Sequence, residues 1–286
     1  MNHPASLPPA GTTKLFLLPI LTLAQREVVR FVRQRTRVIG AMIQPILFWI
    51  LFGAGLRGSF KAPAWATAGM TYQEYFFPGV AVMILMFTAI FSTISIIEDR
   101  KEGFLQGVLV SPVPRTSIVL GKLLGGTILA VLQAVLFIFL GPLLNIVGLA
   151  PDFETGITLA GLVPLILFLF LLGFSLTALG YLIAWPMEST QGFHAIMSVF
   201  LMPMWLLSGS FFPAGDSGWL SWIIRANPLT YGVTGLRRIL TSGPGLPSAP
   251  GNPSMIVCLT VTTLVCIIYV AIAIWMTQQR ATRNAR

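Results

Sequence analysis

Long apolar runs separated by short polar stretches dominate this sequence of 286 residues. Six of the runs reach or approach the roughly 20 apolar residues that a helix needs to cross the hydrocarbon layer of a membrane. They cover residues 38–56, 77–97, 120–147, 157–185, 193–212 and 254–276. The pattern therefore predicts an all-α polytopic membrane protein with six transmembrane helices and a membrane domain at residues 38–276.

A shorter amphipathic pattern precedes the first span, in a predicted tail at residues 1–37. Its arginines recur at spacings that put them on one face of a helix, and they are Arg26, Arg30, Arg33 and Arg37. Apolar side chains fall on the opposite face, at Leu21, Ala24, Val28, Phe31 and Val32. This pattern favours an interfacial helix whose arginines point toward anionic lipid headgroups. The alternative is a positively charged flank that only fixes the topology.

Between the fifth and sixth runs lies a longer segment, residues 213–253, which Gly and Pro interrupt too often for a spanning helix. It carries Trp219, Trp222 and Tyr231, and aromatic side chains of this kind favour the membrane–water interface. The segment is therefore predicted to be an outer loop that forms an interfacial or shallow re-entrant segment before the last span.

The composition agrees with a membrane environment. Charged residues make up 9% of the chain and hydrophobic residues 55%, and the mean hydropathy is +0.83; a soluble domain has about 25% charged residues. The net charge of +9 could indicate nucleic-acid binding, but Lys and Arg cluster beside the apolar runs, where headgroups and topology require them. We therefore expect membrane lipid, and no nucleic acid, as a partner. Cys258 and Cys266 are too few for a disulfide framework or a zinc site, so no metal is expected.

The distribution of basic residues predicts the orientation of the chain. With six spans both termini lie on one side, and that side carries thirteen of the 18 Lys and Arg residues, including those of a basic tail at residues 277–286. Because cytoplasmic flanks are enriched in Lys and Arg, both termini are predicted to lie in the cytoplasm, with the spans in the cytoplasmic (inner) membrane. The loop at residues 98–119 then faces the cytoplasm as well.

This cytoplasmic loop contains an apolar patch. Phe104, Leu105, Val108 and Leu109 follow the spacing of a short amphipathic helix, which Pro112 ends. An apolar face in the cytoplasm is costly unless something covers it. The cover is either the membrane surface or a soluble partner with a hydrophobic groove, and the spacing alone does not separate the two. The charged residues around the patch would give such an interface a polar rim.

The same loop carries the run D-R-x-x-G-F-L-x-x-x-L-V-x-P, from Asp99 to Pro112. Near the C-terminus, S-G-S-F-F-P begins at Ser208 and N-P-L-T-Y begins at Asn227. With the span count and the long last outer loop, these runs resemble type-2 ABC exporter permeases. That family includes daunorubicin-resistance, nodulation and polysaccharide or lipid export permeases. The sequence departs from the family pattern at Gly107, where a larger residue is common, and at Thr234, where relatives often carry an acidic residue.

The resemblance implies that the loop is a coupling helix that fits into a cleft of a separate ABC ATPase subunit. The residues that it assigns to this contact are Glu98, Asp99, Arg100, Glu102, Gly103, Phe104, Leu105, Leu109, Ser111, Pro112 and Arg115. The outer-loop motif consists of Gly209, Pro213, Asn227, Pro228 and Tyr231. The sequence contains no G-x-x-x-x-G-K-[ST] phosphate loop, so no cofactor is expected in this chain, and ATP and Mg are expected on the partner. The permease itself would form a homodimer or pair with a second permease.

The expected function is outward transport of an amphipathic, drug-like, lipid or lipid-linked glycan cargo, driven by ATP hydrolysis on the partner. No charged residue lies near the middle of a predicted span, which argues against an ATP-independent secondary carrier. No Ser–His–acid group or carboxylate pair can be assembled, so no catalytic residue is assigned. A non-transporting membrane sensor or scaffold that uses the same ATPase is the alternative.

Overall fold

The computed structural model describes residues 12–56, 58–63, 65–66, 69–146, 161–212, 218–241 and 252–284. These residues form helices joined by turns, with no β-strand among them, so the all-α prediction is confirmed. The helices are α1 Thr12–Arg33, α2 Arg35–Gly55, α3 Tyr72–Ser92, α4 Ile94–Lys101, α5 Phe104–Val110, α6 Arg115–Ile146, α7 Leu162–Ala184, α8 Thr190–Ile196, α9 Met202–Trp205, α10 Gly218–Ala226, α11 Pro228–Leu240 and α12 Met255–Asn284.

Five helical stretches of the described chain are long and apolar enough to cross a membrane. They are Tyr72–Lys101, Arg115–Leu144, Leu162–Ala184, Thr190–Ser210 and Met255–Gln279. The predicted first span falls on α2, whose apolar part, Ile39–Gly55, is shorter than each of these five stretches. The structure therefore confirms a helical protein with several spans, and the sixth span stays a prediction. The predicted end of the third span and start of the fourth lie outside the described residues.

The second span lies at the centre of the fold and is longer than predicted. Thr71 and Glu74 form a capping box that starts α3, in which each side chain accepts a hydrogen bond from the backbone N–H of the other residue. The span packs against α2, α6, α7 and α11 and continues through α4 to Lys101. The first charged residues of the predicted loop therefore belong to α4, and the loop boundary at residue 98 stays a prediction. Glu, Arg and Lys are good helix formers, so these charges do not end the helix.

Two glycines let α1 and α6 approach closely. A Cβ atom added at Gly121 would lie 2.8 Å from the Cβ of Leu23, and one added at Gly125 would lie 2.7 Å from the Cβ of Glu27. Small residues four positions apart are a common means of bringing two membrane helices into backbone contact. The helix that the sequence suggested would rest on headgroups is therefore packed along α6 in this fold.

The predicted division of α1 into two faces is only partly correct. Of the apolar side chains assigned to one face, Ala24 and Phe31 are buried, whereas Leu21 and Val32 are exposed. A helical repeat identifies which residues share a face, but it does not identify whether lipid or protein covers that face.

The fifth span is a broken helix. A π-helical turn, Met197–Leu201, separates α8 from α9, and a second one, Leu206–Ser210, follows α9. Pro203 lies inside α9, and Gly209 has a positive φ of 72°. Prolines and π-helical turns interrupt the regular backbone hydrogen bonds, and helices bend at such places. This span therefore has several points at which it can change direction.

The segment predicted to be an outer loop is partly folded into the helical body. α10 exposes Trp219 and Trp222, but α11 packs against α3, α7 and α12. A Cβ atom added at Gly235 would lie 2.3 Å from Phe168, so the absence of a side chain there permits the close contact with α7. Arg237, in the same helix, is only 3% exposed. Part of the segment predicted to be interfacial or shallowly re-entrant therefore packs inside the helical body, and its place in the membrane stays a prediction.

Candidate functional site

A tight turn joins the end of the second span to α5. The Glu102 N–H donates to the Glu98 carbonyl at 2.9 Å, and the Gly103 N–H donates to the Arg100 carbonyl at 3.2 Å. Gly103 has a φ of 75°, a left-handed conformation that glycine adopts without steric cost. Since α5 begins directly after this residue, the short helix is held close to the end of the span.

Part of the apolar surface of α5 is exposed. Leu105 is 4% exposed and belongs to the core, and Leu109 packs partly buried against that core. Val110 is 86% exposed and Phe104 is 36% exposed. The chain itself therefore covers Leu105, which the sequence placed on the face that needs a partner, and the exposed apolar surface is carried by Phe104 and Val110.

The chain after α5 turns toward the third span. The Ser111 hydroxyl donates to the Val108 carbonyl at 2.6 Å where α5 ends, and Pro112 is exposed. Arg115 starts α6 and donates to the Gln278 carbonyl of α12 at 3.2 Å. Of the predicted contact residues in this stretch, Pro112 is thus the most accessible to a partner.

An ion network lies beside α5, centred on Asp99 of α4. Arg26 of α1 donates to both carboxylate oxygens, from Nη1 to Oδ2 at 3.0 Å and from Nη2 to Oδ1 at 2.7 Å. Arg30 Nη1 donates to Oδ1 at 2.7 Å, and Lys122 Nζ of α6 donates to Oδ2 and to Glu27. Asp99 is completely buried and Lys122 nearly so. Charged groups at this depth are tolerated when each has an oppositely charged partner.

The network extends to the surface and to α5. Arg30 contacts the carboxylates of Glu98 and Glu102, each at 3.1 Å. The guanidinium of Arg26 lies 3.8 Å from the centre of the Phe104 ring, a cation–π contact. The hydrogen bonds to Asp99 are the main reason that the pKa of Arg26 is raised. α1 is thus tied both to the end of the second span and to the first residue of α5.

Two of the α1 arginines that were predicted to face lipid headgroups have partners within the protein. Arg26 and Arg30 point into the ion network and not only toward headgroups, because the acids at the end of the second span offer them buried partners. Arg33 is exposed, and the side chain of Arg37 lies outside the described residues.

Two members of the network were not identified from the sequence. Glu27 is an acid within a basic helix, and Lys122 is a cation between two glycines of α6 that contact α1. These features indicate that each residue has a partner inside the protein. They do not indicate that the partners are each other, since 95 positions separate them.

Arg100 contacts the turn that leads into the fifth span. Its Nη1 donates to the Met187 carbonyl at 2.7 Å and its Nη2 donates to the Trp185 carbonyl at 2.6 Å. Both carbonyls lie just beyond the C-terminal end of α7, where a cation is favoured. Asp99 and Arg100 were predicted to form part of a polar rim for a partner, and the structure shows instead that both are engaged within the chain.

The outer-loop motif organises the region between the fifth and sixth spans. The Asn227 side chain accepts from the Leu229 N–H at 3.0 Å, which caps α11 at Pro228, and its amide donates to the Met204 carbonyl at 2.6 Å. The Tyr231 hydroxyl makes an exposed hydrogen bond of 2.9 Å to a carbonyl of α10. The remaining motif residue in this segment, Pro213, lies outside the described residues.

The C-terminal end of the fifth span is held at the Gly209 carbonyl. This oxygen accepts from the Tyr75 hydroxyl at 2.6 Å and from Arg237 Nη2 at 3.2 Å. The Arg237 guanidinium lies 4.4 Å from the centre of the Tyr75 ring and 5.2 Å from that of Trp65. No carboxylate in the described part of the chain pairs with it, so the two aromatic rings and the carbonyls stabilise the buried cation.

An aromatic cleft of about 300 Å³ opens between α2, the second span and α8. Its lining includes Gln44, Pro45, Phe87, Phe91, Ile94 and His194. The ring of Phe91 lies 5.7 Å from that of Phe87 and 5.5 Å from that of His194, measured between centres. The cleft therefore offers aromatic surface together with the polar side chains of Gln44 and His194.

Comparison with known proteins identifies the family. The sequence profile of the ABC-2 type transporter family matches residues 19–241. The putative transport permease ycf38 of Cyanophora paradoxa is 28% identical over 229 residues, which are 79% of this chain and 75% of that protein. The daunorubicin resistance ABC transporter permease protein DrrB1 of Streptomyces coeruleorubidus is 26% identical over 225 residues, 77% of this chain and 74% of the relative. The probable doxorubicin resistance ABC transporter permease protein DrrC of Mycobacterium tuberculosis is 23% identical over 273 residues, which are 94% of this chain and 93% of that protein.

The matched region contains the ion network, α5, the broken fifth span and α11. The named relatives are transport permeases, which are not themselves enzymes. The resemblance deduced from the cytoplasmic and outer motifs is confirmed. This chain belongs to the ABC-2 type transporter family and is a multi-pass membrane permease subunit of an ABC transporter.

Proposed function

We propose that this chain is the transmembrane subunit of an ATP-driven exporter that moves amphipathic, drug-like or lipid-like cargo outward. ATP is hydrolysed on a separate ATPase subunit that binds α5 from the cytoplasm. The chain crosses the inner membrane six times, with α2 as the first span and both termini in the cytoplasm, and it works as a dimer.

The exposed apolar surface of α5 is the observation that carries this proposal. Val110 is 86% exposed and Phe104, at the other end of α5, is 36% exposed, in a segment that the distribution of Lys and Arg assigns to the cytoplasm. Apolar side chains presented in water favour a protein partner with a complementary groove. ABC-2 permeases generally work with a separate ATP-binding subunit, which supplies such a partner.

The aromatic cleft supports a cargo with flat apolar parts. Its volume of about 300 Å³ falls at the lower end of the range of about 300 to 1,000 Å³ for small-molecule sites. Aromatic rings such as Phe87 and Phe91 favour offset stacking with planar ligands. The names of two relatives refer to resistance to daunorubicin and doxorubicin, and we extend that kind of cargo to this chain.

Transport into inside-out membrane vesicles tests the proposal. Vesicles that contain the permease and its ATPase should accumulate daunorubicin when ATP is added, and vesicles without the ATPase should not. Uptake of equal size without the ATPase would contradict an ATP-driven exporter and would favour an independent carrier.

The docking surface is tested by Val110→Asp. Because this side chain is exposed, the substitution should leave the fold intact while placing a charge in the contact with the ATPase. Desolvating that charge should reduce co-purification of the ATPase by at least about tenfold, the change that 1.4 kcal/mol produces. Val110→Ile, which keeps the apolar surface, is the matched control. Unchanged co-purification of Val110→Asp would contradict docking at α5.

A further inference from the structure

The geometry points to Arg100 as the positioning residue that carries movement of α5 into the fifth span. This inference rests on the proposed function, since it concerns how a docked ATPase would act on the spans. It changes the role of Arg100 from a residue that faces the partner to one that transmits the partner's movement inside the permease.

The first step is the short connection between α5 and Arg100. Arg100 lies in the last turn of α4, and its carbonyl accepts from the N–H of Gly103 at 3.2 Å. The Gly103 carbonyl in turn accepts from the N–H of Gly107, within α5, at 3.2 Å. A partner that displaces α5 therefore displaces the backbone of Arg100 as well.

The second step is the contact between Arg100 and the start of the fifth span. One guanidinium donates to the carbonyls of Trp185 and Met187, and Ser189, two residues after Met187, caps the first turn of α8. The planar fork of arginine presents two N–H groups in a fixed geometry, so it holds both carbonyls at once. The guanidinium also lies 5.5 Å from the centre of the Trp185 ring. The turn is thereby fixed to α4 in orientation as well as in distance.

Two adjacent residues of α4, Asp99 and Arg100, contact different groups of helices. Asp99 points to α1 and α6 through its three cations, whereas Arg100 points to the turn between α7 and α8. The next side chain, Lys101, is exposed. A displacement of α5 is thus passed to one group of helices through Asp99 and to the fifth span through Arg100.

The third step is the construction of the fifth span. Its inner end is held by Arg100 and its outer end by the Gly209 carbonyl, which accepts from Tyr75 and Arg237. Between these ends lie two π-helical turns and Pro203, and Val199 of the first π-helical turn is 77% exposed. A helix that is held at both ends and interrupted between them bends in the middle when one end is moved. The surface around Val199 should therefore move when ATP acts on the docked ATPase.

The experiment places a reporter on that surface. Cys258 and Cys266 are replaced by Ala, Val199→Cys is labelled with bimane, and the full permease is reconstituted with its ATPase in phospholipid vesicles. The emission change on addition of ATP and vanadate is measured for the parent, Arg100→Ala, Arg100→Lys and Lys101→Ala. Bound ATPase is measured in each sample by co-purification.

We expect the emission change in the parent and in Lys101→Ala. Arg100→Ala should reduce it at least about fivefold, the lower limit of a typical coupling between sites, with the ATPase still bound. Arg100→Lys should reduce it similarly, because an ammonium group keeps the charge but lacks the two-armed geometry, and it serves as the test where the Ala variant does not fold.

A full emission change in either Arg100 variant would overturn the inference and leave the proposed function intact. Loss of the bound ATPase from both Arg100 variants would also overturn it, since Arg100 would then belong to the docking contact. A parent that binds no ATPase would overturn the proposed function itself, whereas a parent that binds the ATPase but shows no emission change would overturn the inference alone.

Discussion

Replacing Asp99 by Asn tests whether the ion network holds α1, α4 and α6 together. The substitution keeps the size of the side chain but removes the charge that Arg26, Arg30 and Lys122 share. The two arginines are 31% and 22% exposed and can turn toward solvent. The Lys122 side chain is 3% exposed, and among the described residues it would keep only Glu27 as a carboxylate partner. Removing one partner of a buried ion pair lowers the free energy of unfolding by about 3 to 5 kcal/mol. Because the arginines are partly exposed, we expect a loss of about 3 kcal/mol for Asp99→Asn.

The assay is the apparent melting temperature of the permease in detergent, followed by size-exclusion chromatography of heated samples. A loss of about 3 kcal/mol corresponds to a fall of about 6 to 12 °C at 2 to 4 °C per kcal/mol. Glu102→Gln is the control, because Glu102 is 58% exposed and its pair with Arg30 should contribute less than about 1 kcal/mol. Asp99→Asn combined with Lys122→Met should cost less than the sum of the two single changes, because it leaves no buried ammonium. A melting temperature of Asp99→Asn within about 2 °C of the parent would refute the structural role of the network.

Further substitutions test the glycine contact of α1 and the cap of α11 by the same melting assay. Gly125→Ala should destabilise by about 1 to 3 kcal/mol, because its Cβ would lie 2.7 Å from that of Glu27. Gly107→Ala is the matched change in open space and should stabilise by about 0.5 to 1 kcal/mol, so a loss there would contradict the steric argument. Asn227→Ala should cost about 1 to 2 kcal/mol through the lost cap and the unpaired carbonyl of the fifth span. Tyr231→Phe, which removes an exposed hydrogen bond, should stay within about 0.5 kcal/mol of the parent, and equal losses in the two variants would contradict the capping role.

The spans and the short helix α5 could be predicted from the sequence because their causes are local. A run of about 20 apolar residues has few alternatives to a membrane helix, and the apolar spacing from Phe104 with Pro112 defines a short helix within one segment. The family could be identified for the same reason, since its motifs are short and contiguous. Leu105 shows the limit of such reasoning, because the spacing placed it on the apolar face but did not indicate that the chain itself covers it.

The ion network and the buried position of α11 could not be predicted because they depend on contacts between distant segments. Asp99 accepts hydrogen bonds from Arg26 of α1 and Lys122 of α6. The local sequence of those helices does not indicate that their cations bind Asp99 and not a lipid phosphate. Arg237 is stabilised by the rings of Trp65 and Tyr75, which lie more than 150 positions earlier in the chain (162 for Tyr75). In both cases the sequence shows that the residue is charged, but only the fold shows which residues surround it.

The ion network also has a consequence for the order in which the protein is made. Translation and membrane insertion proceed from the N-terminus, so α1 emerges before the second and third spans. Its Glu27 meets Lys122 only after 95 further residues have been added. Until the third span enters the membrane, the first helix can pair with Asp99 but lacks Lys122 and the surface of α6 on which it packs. Arrival of Lys122 thus marks the moment at which the N-terminal half of the permease can close on itself.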